Sequence, residues 1–445
     1  MNHIQRQPSG LKRALLCAAA LLLPALLAAQ VRTLTLEETI GIGLENSRQL
    51  HSSAMRSEYA GAKASEAAAA RYPSVKVQAG YTRLSDVPQF RIPVPGMPIV
   101  FPVILDNYLA KATLTQPIFT GWKLSGAAEA ASLTADAASS DVVKEKAELV
   151  YSVTAAYWNL YRAREVKRLS DESVKQFEGH AADVANLMKQ GIAVTNDVLK
   201  VNVQLANARL LQSDADNAVK LAQLSLNSLI GLPLETETEA ASELTPSTQT
   251  YPAVQSLIAS ALGGRPEMKS ADLRLRAAET GVKSARGGWL PQLMLTGSYT
   301  YAKPNQRIFP ALDAFRDTWD VGVSLQLDLW NNLTTLYQTD AARAQYEQAK
   351  DAVGLMKDAV VLDVTQSWLS FEQAKKRISL AQMQVDQSAE NLRVNKEKFA
   401  HGYAISSELL DAEVADLQSK MQLTQALVDL ELAKAKLDKA IGGGR

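Results

Sequence analysis

Four stretches of the chain alternate apolar and polar residues, and the much longer stretches after them repeat apolar residues every three or four positions. In the first, Val75, Val77, Ala79 and Tyr81 are separated by Lys76, Gln78 and Gly80. The pattern returns in Tyr108–Gln116 and Leu293–Tyr301, and most regularly in Trp319–Leu329, where Trp319, Val321, Val323, Leu325, Leu327 and Leu329 alternate with polar residues or Gly. A period of two predicts strands with one apolar and one polar face. Each run is about the nine to eleven residues that a tilted strand needs to cross a bilayer. Aromatic residues gather at the strand ends, and Tyr81, Tyr299, Tyr301, Trp319 and Trp330 form a candidate interfacial belt. A soluble β-sandwich is the bland reading of the same alternation.

The long stretches predict helices. Neither Lys123–Gln190 nor Leu333–Ala400 contains a proline, and helices of that length reach about 100 Å. In the second, Val360, Val364, Ser367, Phe371, Ala374, Ile378, Ala381, Val385, Ser388, Leu392, Asn395 and Phe399 follow steps of four and three, a heptad seam of large and small residues. In the first, Leu149, Val153, Ala156 and Leu160 keep the pattern, but Lys167 stands where Ile378 stands in the second.

The chain is written twice. Gly191 and Gly402 are 211 residues apart (402 − 191), as are Gly231 and Gly442 (442 − 231). RYPSVKVQAGYT at 71–82 matches WLPQLMLTGSYT at 289–300. The expected first copy spans 30–250, with strands near 75–83 and 108–119 and a helical hairpin over 123–231. The second spans 251–445, with strands near 293–302 and 319–329 and a hairpin over 331–441. Leu36–Arg71 and Val254–Gly287 are the expected lead-in helices. In each hairpin a helix stops at Gly and restarts at hydroxyl or acidic residues, in MKQGIAVTNDVLKV (188–201) and FAHGYAISSELLDA (399–412).

Four strands cannot close a membrane barrel, and an open edge in lipid leaves backbone groups unpaired. The chain must pool strands with copies of itself, and a conducting pore favours three copies or more.

Composition narrows the partners. Lys plus Arg and Asp plus Glu are both 47, so no net field argues for nucleic acid. Arg6, Lys12 and Arg13 precede the apolar run Ala14–Ala28, which reads as a signal peptide over 1–29. The single cysteine, Cys17, lies in that run, where lipid attachment is the alternative reading and bulky Leu16 argues against it. No phosphate-binding loop, nucleophile–base arrangement or metal-ligand pair of histidines is present, so neither an enzyme, a cofactor nor a metal site is expected.

LTLEETIGIGLENSRQL (34–50), LTQPIFTGW (114–122), RPEM (265–268), the paired YP and LP before strands and the two Gly turns stand in an order that resembles the TolC-like outer membrane efflux family over essentially the whole exported chain. The resemblance implies an α+β membrane protein, in which long helical coiled-coil hairpins form a periplasmic barrel. Four strands per chain would contribute to a homotrimeric, twelve-stranded transmembrane β-barrel. It implies a passive exit duct of a Gram-negative outer membrane, in contact with its lipid. The duct would dock to a periplasmic adaptor protein and be driven by an inner-membrane pump of RND, ABC or MFS type.

On the family's pattern Glu408 and Asp411, three apart on one helical face, match an acidic periplasmic gate that filters cations, with Asp197 in the first copy. An acid in a first helical turn also suits the helix dipole without any channel. Gly191, Ile192, Val194 and Thr195, with Gly402, Tyr403, Ile405 and Ser406, are the candidate adaptor contacts at the tips. Ala404 stands where some relatives place a latching Arg. The alternative function is a soluble periplasmic coiled-coil scaffold whose strands form an interaction module.

Overall fold

The computed structural model describes residues 32–443 except 94, 98, 243 and 245–248. The expected leader over 1–29 and Cys17 lie outside the described residues. The first copy contains β1 (Arg32–Leu34), α1 (Leu36–Asn46), α2 (Arg48–Ala69), β2 (Ser74–Arg83), β3 (Arg91–Ile92), β4 (Ile99–Val100), β5 (Asp106–Phe119), α3 (Lys123–Lys189), α4 (Thr195–Ile230) and β6 (Thr238–Ala240). The second contains α5 (Val254–Gly264), α6 (Pro266–Arg286), β7 (Gln292–Lys303), β8 (Arg316–Gln326), α7 (Thr334–Ala400) and α8 (Ser406–Ala440). No helix among the described residues is long and apolar enough to cross a membrane.

Both lead-in segments break where the backbone chemistry requires it. Ser47 leaves helical space at ψ 114°, and its Oγ accepts from the Leu50 N–H at 3.2 Å, capping α2. Arg265 is extended at ψ 133° because Pro266 follows it as the first residue of α6.

The chain divides into two compact units. One, made of His51–Lys144 and Leu262–Val361, contains a four-stranded antiparallel sheet in the order β2-β5-β7-β8. Its register aligns the alternating residues in rows. Val75, Leu114, Gly297 and Val321 lie side by side, as do Val77, Ala112, Tyr299 and Trp319. One residue along, Lys76, Thr113, Ser298 and Asp320 form a row, and Gln78, Lys111, Thr300 and Thr318 another. One face of the sheet is therefore apolar and the other polar, an assignment that a one-residue slip would reverse.

Strands β2 and β8 each have a single neighbour in this sheet, which leaves both edges unpaired. Strand β8 runs Arg316–Gln326 rather than 319–329 because its pairing ends at Gln292↔Gln326. Pro291 precedes that pair and has no N–H to extend the ladder. Leu327 and Leu329 continue the alternation without a partner strand, and Trp330 lies past the strand end.

Each hairpin begins at a left-handed junction. Gly121 and Trp122 have φ of 63° and 62°, and Asn332 and Leu333 have 50° and 62°, the two pairs again 211 residues apart (333 − 122). Gly287 crosses this junction so closely that a Cβ there would fall 1.9 Å from the Gly121 carbonyl oxygen.

The other unit contains 32–50, 145–261 and 362–443. Strand β1 pairs parallel with β6, a contact between three-residue strands too short to announce itself as a pattern. Leu34, Leu149, Val153, Leu160, Leu226 and Ile230 form a core beneath it. In α7, Val364, Ser367, Phe371, Ala374, Ala381 and Leu392 are buried and Ile378, Val385, Ser388, Asn395 and Phe399 half-buried, while most residues between them are exposed. Where the first copy breaks the apolar pattern, Lys167 bridges Asp171 at 3.3 Å and Asp216 of α4 at 2.5 Å. An ion pair there spans the hairpin in place of a knob.

Candidate functional site

Both hairpin turns are made the same way. Gly191 has φ 77°, its N–H donates to Met188 O at 3.0 Å, and Ile192 N–H donates to Leu187 O at 2.9 Å. Gly402 has φ 75°, with Gly402 N–H to Phe399 O at 3.0 Å and Tyr403 N–H to Lys398 O at 2.8 Å. This pair of hydrogen bonds closes a helix end around a left-handed residue, for which glycine carries no steric penalty. Beyond each glycine the chain projects large apolar side chains into solvent: Ile192 is 69% exposed, Val194 62%, Tyr403 84% and Ile405 65%. Thr195 is exposed beside them.

Ser406 does not join that surface. It is buried, and its Oγ lies 3.1 Å from His180 Nε2. The other ring nitrogen, Nδ1, lies 2.9 Å from Glu413 Oε2, and the ring meets Phe399 edge-on at 5.3 Å. The imidazole and the Glu413 carboxylate are almost wholly buried, at 1% and 3% side-chain exposure. A buried ion or polar group needs partners at this quality, because water is no longer available to it. Sequence reasoning missed His180: its partners are 226 and 233 residues away (406 − 180 and 413 − 180), and no local spacing signals them. One turn beyond Glu413, Asp416 Oδ2 accepts from Lys420 at 2.7 Å, while Oδ1 is buried without a partner among the described residues.

Helix α8 thus sorts its acids by face. Glu413 and Asp416 are buried, with Leu409, Leu410 and Ala412. Glu408, Asp411, Ala415 and Gln418 form the exposed stripe. Their steps of three and four keep them on one side of the helix. Neither Glu408 nor Asp411 has an ion-pair partner among the described residues. Asp197 differs from them: its carboxylate accepts from Val194 N–H at 3.3 Å and caps the start of α4. The structure therefore gives Asp197 a local use and leaves Glu408 and Asp411 free.

The aromatic residues also divide by place. Tyr81, Tyr299, Tyr301 and Trp319 share the apolar face near the loop-bearing end of the sheet, and Tyr81 packs on Tyr108 at 4.9 Å. Trp330 lies at the opposite end, its Nε1–H donating to Asn332 Oδ1 at 2.9 Å.

A family model described as "Outer membrane efflux protein" matches residues 40–232 and 257–443, one match for each copy. Among curated relatives, "Toxin and drug export protein A" of Aggregatibacter actinomycetemcomitans is 22% identical, over 72% of this chain and 70% of its own length. "Alkaline protease secretion protein AprF" of Pseudomonas aeruginosa is 23% identical, over 75% and 69%. The crystal structure of the outer membrane protein VceC from Vibrio cholerae superposes with a TM-score of 0.78 at 19% identity, covering 92% of this chain and 96% of that one. With both copies matched by one family model and its fold shared with VceC, the chain belongs to the outer membrane efflux protein family.

Proposed function

We propose that three copies of the chain form the duct, each contributing its four strands to a twelve-stranded barrel. The observation that carries this is the sheet itself, with one face apolar through its middle rows and charged only towards the loop end, at Asp317 and Lys303, and with two unpaired edges in the single chain. In water such a face is exposed, and in lipid such an edge leaves its backbone groups unpaired; a closed ring within lipid resolves both. Tyr81, Tyr299, Tyr301 and Trp319 then lie in one lipid headgroup layer and Trp330 towards the other. The soluble-scaffold alternative leaves the apolar face without a covering.

At the helical tips, Gly191, Ile192, Val194, Thr195, Gly402, Tyr403 and Ile405 make the surface for the periplasmic adaptor, with Ser406 omitted because it is buried. An inner-membrane pump of RND, ABC or MFS type supplies the energy, and the duct itself is passive and performs no catalysis. Drugs, metals and secreted proteins are the candidate cargoes. Glu408 and Asp411 line the periplasmic constriction, where three copies give about six carboxylates, an arrangement that favours cations.

The test is reversal potential under a salt gradient, with purified protein in planar bilayers. Wild type should be cation-selective, and Glu408→Gln with Asp411→Asn should lose most of that preference while the oligomer stays intact. Unchanged selectivity in the double variant would remove the filter assignment.

A further inference from the structure

We propose that the polar face of the four-stranded sheet is an anion-binding surface inside the barrel, suited to solutes carrying several phosphate or carboxylate groups. The proposal rests on the channel reading, which places this face towards the lumen. The register puts Lys76, Lys111 and Arg316 on the polar face, against a single strand carboxylate, Asp320. None of Lys76, Lys111 and Arg316 has an ion-pair partner among the described residues. Asp320 is already engaged: its Oδ1 accepts from Ser298 Oγ at 2.6 Å and lies 3.8 Å from Arg307.

The β7–β8 loop adds a fourth cation and fixes it. Asn305, 3% exposed, donates through Nδ2 to Arg316 O at 3.0 Å and to Thr318 Oγ1 at 3.1 Å, while its Oδ1 accepts from Arg307 N–H at 3.0 Å. Arg307 Nη1 then donates to Trp319 O at 2.9 Å. The loop is therefore tied down over the polar face with a guanidinium anchored at its edge. Between loop and strands lies an open groove of about 630 Å³, lined among others by Gln78, Lys111, Thr300, Arg307, Thr318 and the engaged Asp320. The Lys111 ammonium in the groove, flanked by hydroxyl and amide groups, with Lys76 on the same face one row away, concentrates anions. Repeated in each copy, the surface opposes in sign the carboxylates of α8.

The experiment uses the full-length oligomer in planar bilayers, with tripolyphosphate as probe, added to each side in turn. Wild-type current should be blocked from the side that bears the strand loops, and raised salt should relieve the block by screening. In Lys76→Gln with Lys111→Gln, conductance steps should persist and the half-blocking concentration should rise about tenfold or more, as expected for losing two nearby charges per copy. Equal block in the lysine variant, or no block of a conducting wild type, overturns the anion surface and leaves the channel standing. Absence of any conductance from folded wild-type oligomer overturns the channel reading and this one with it.

Discussion

His180 shows how much one residue can depend on segments that follow it by more than two hundred positions. Its neutral ring can donate from Nδ1 to Glu413 and accept at Nε2 from the Ser406 hydroxyl, and its protonated ring can donate to both. The contact is satisfied in either state, so its value lies in specifying which residues meet. Removing only the ring strands a buried carboxylate: His180→Ala should cost about 3–5 kcal/mol. Replacing both partners, as in His180→Leu with Glu413→Leu, should recover most of that loss, since an apolar pair leaves no charge unpaired. Denaturant titration of the two variants and wild type checks this, and equal losses would show that the pair is not the source of the stability. The exposed carboxylate of Glu408 and the buried one of Glu413 occupy one helix, five residues apart (413 − 408), yet face different surroundings.

At the scale of elements, the first hairpin substitutes charge for part of its apolar seam. Asp171 accepts from Gln212 Nε2 at 2.7 Å and pairs with Lys167, and the hydrogen bond from the Gln212 amide first, then the ammonium, hold its carboxyl below its ordinary value of 3.8. A depressed folded-state value means stability that is present above the ordinary carboxylate range and lost as pH falls through the folded value. Acid titration followed by circular dichroism should therefore show the hairpin loosening below about pH 4. Asp171→Asn should flatten that dependence, with a small effect at neutral pH because the group is partly exposed. The seam of α7 and the four strands were legible in the sequence, since repeating patterns over many residues outweigh local noise. The break at Ser47 was not, because Gly41, Gly43, Asn46 and Ser47 are all weak helix formers and none of them alone marks where the chain turns. The β1–β6 pairing and the His180 cluster were illegible for another reason: both depend on residues far apart meeting, about which spacing is silent. Ser406 read as a surface residue because a hydroxyl at a helix start ordinarily caps its own turn, whereas here it answers an imidazole from α3.

For the whole molecule the two faces of the sheet should have opposite tolerances. Val321 is 67% exposed on the apolar face, and Val321→Arg places a guanidinium in lipid at about 2–4 kcal/mol per copy near the bilayer midplane. Gln78→Lys, on the polar face, meets no such penalty. Outer membrane fractionation should find the first depleted from the membrane oligomer and the second recovered at wild-type level; equal recovery would mean that the apolar face does not meet lipid. The same division explains how a chain with equal numbers of acidic and basic residues can carry strong local fields of both signs.

The two unpaired strand edges also govern the time before assembly. In the proposed barrel the last hydrogen bonds form between chains, so their rate depends on concentration, whereas every earlier step is a property of one chain. Until those bonds form, β2 and β8 are templates that any extended segment can lengthen, and the apolar face is uncovered. Slow encounter is therefore the hazardous stage of biogenesis. Dilution should lower the yield of assembled oligomer without altering how a single chain folds its helices, and overproduction should speed both closure and mispairing at the same two edges.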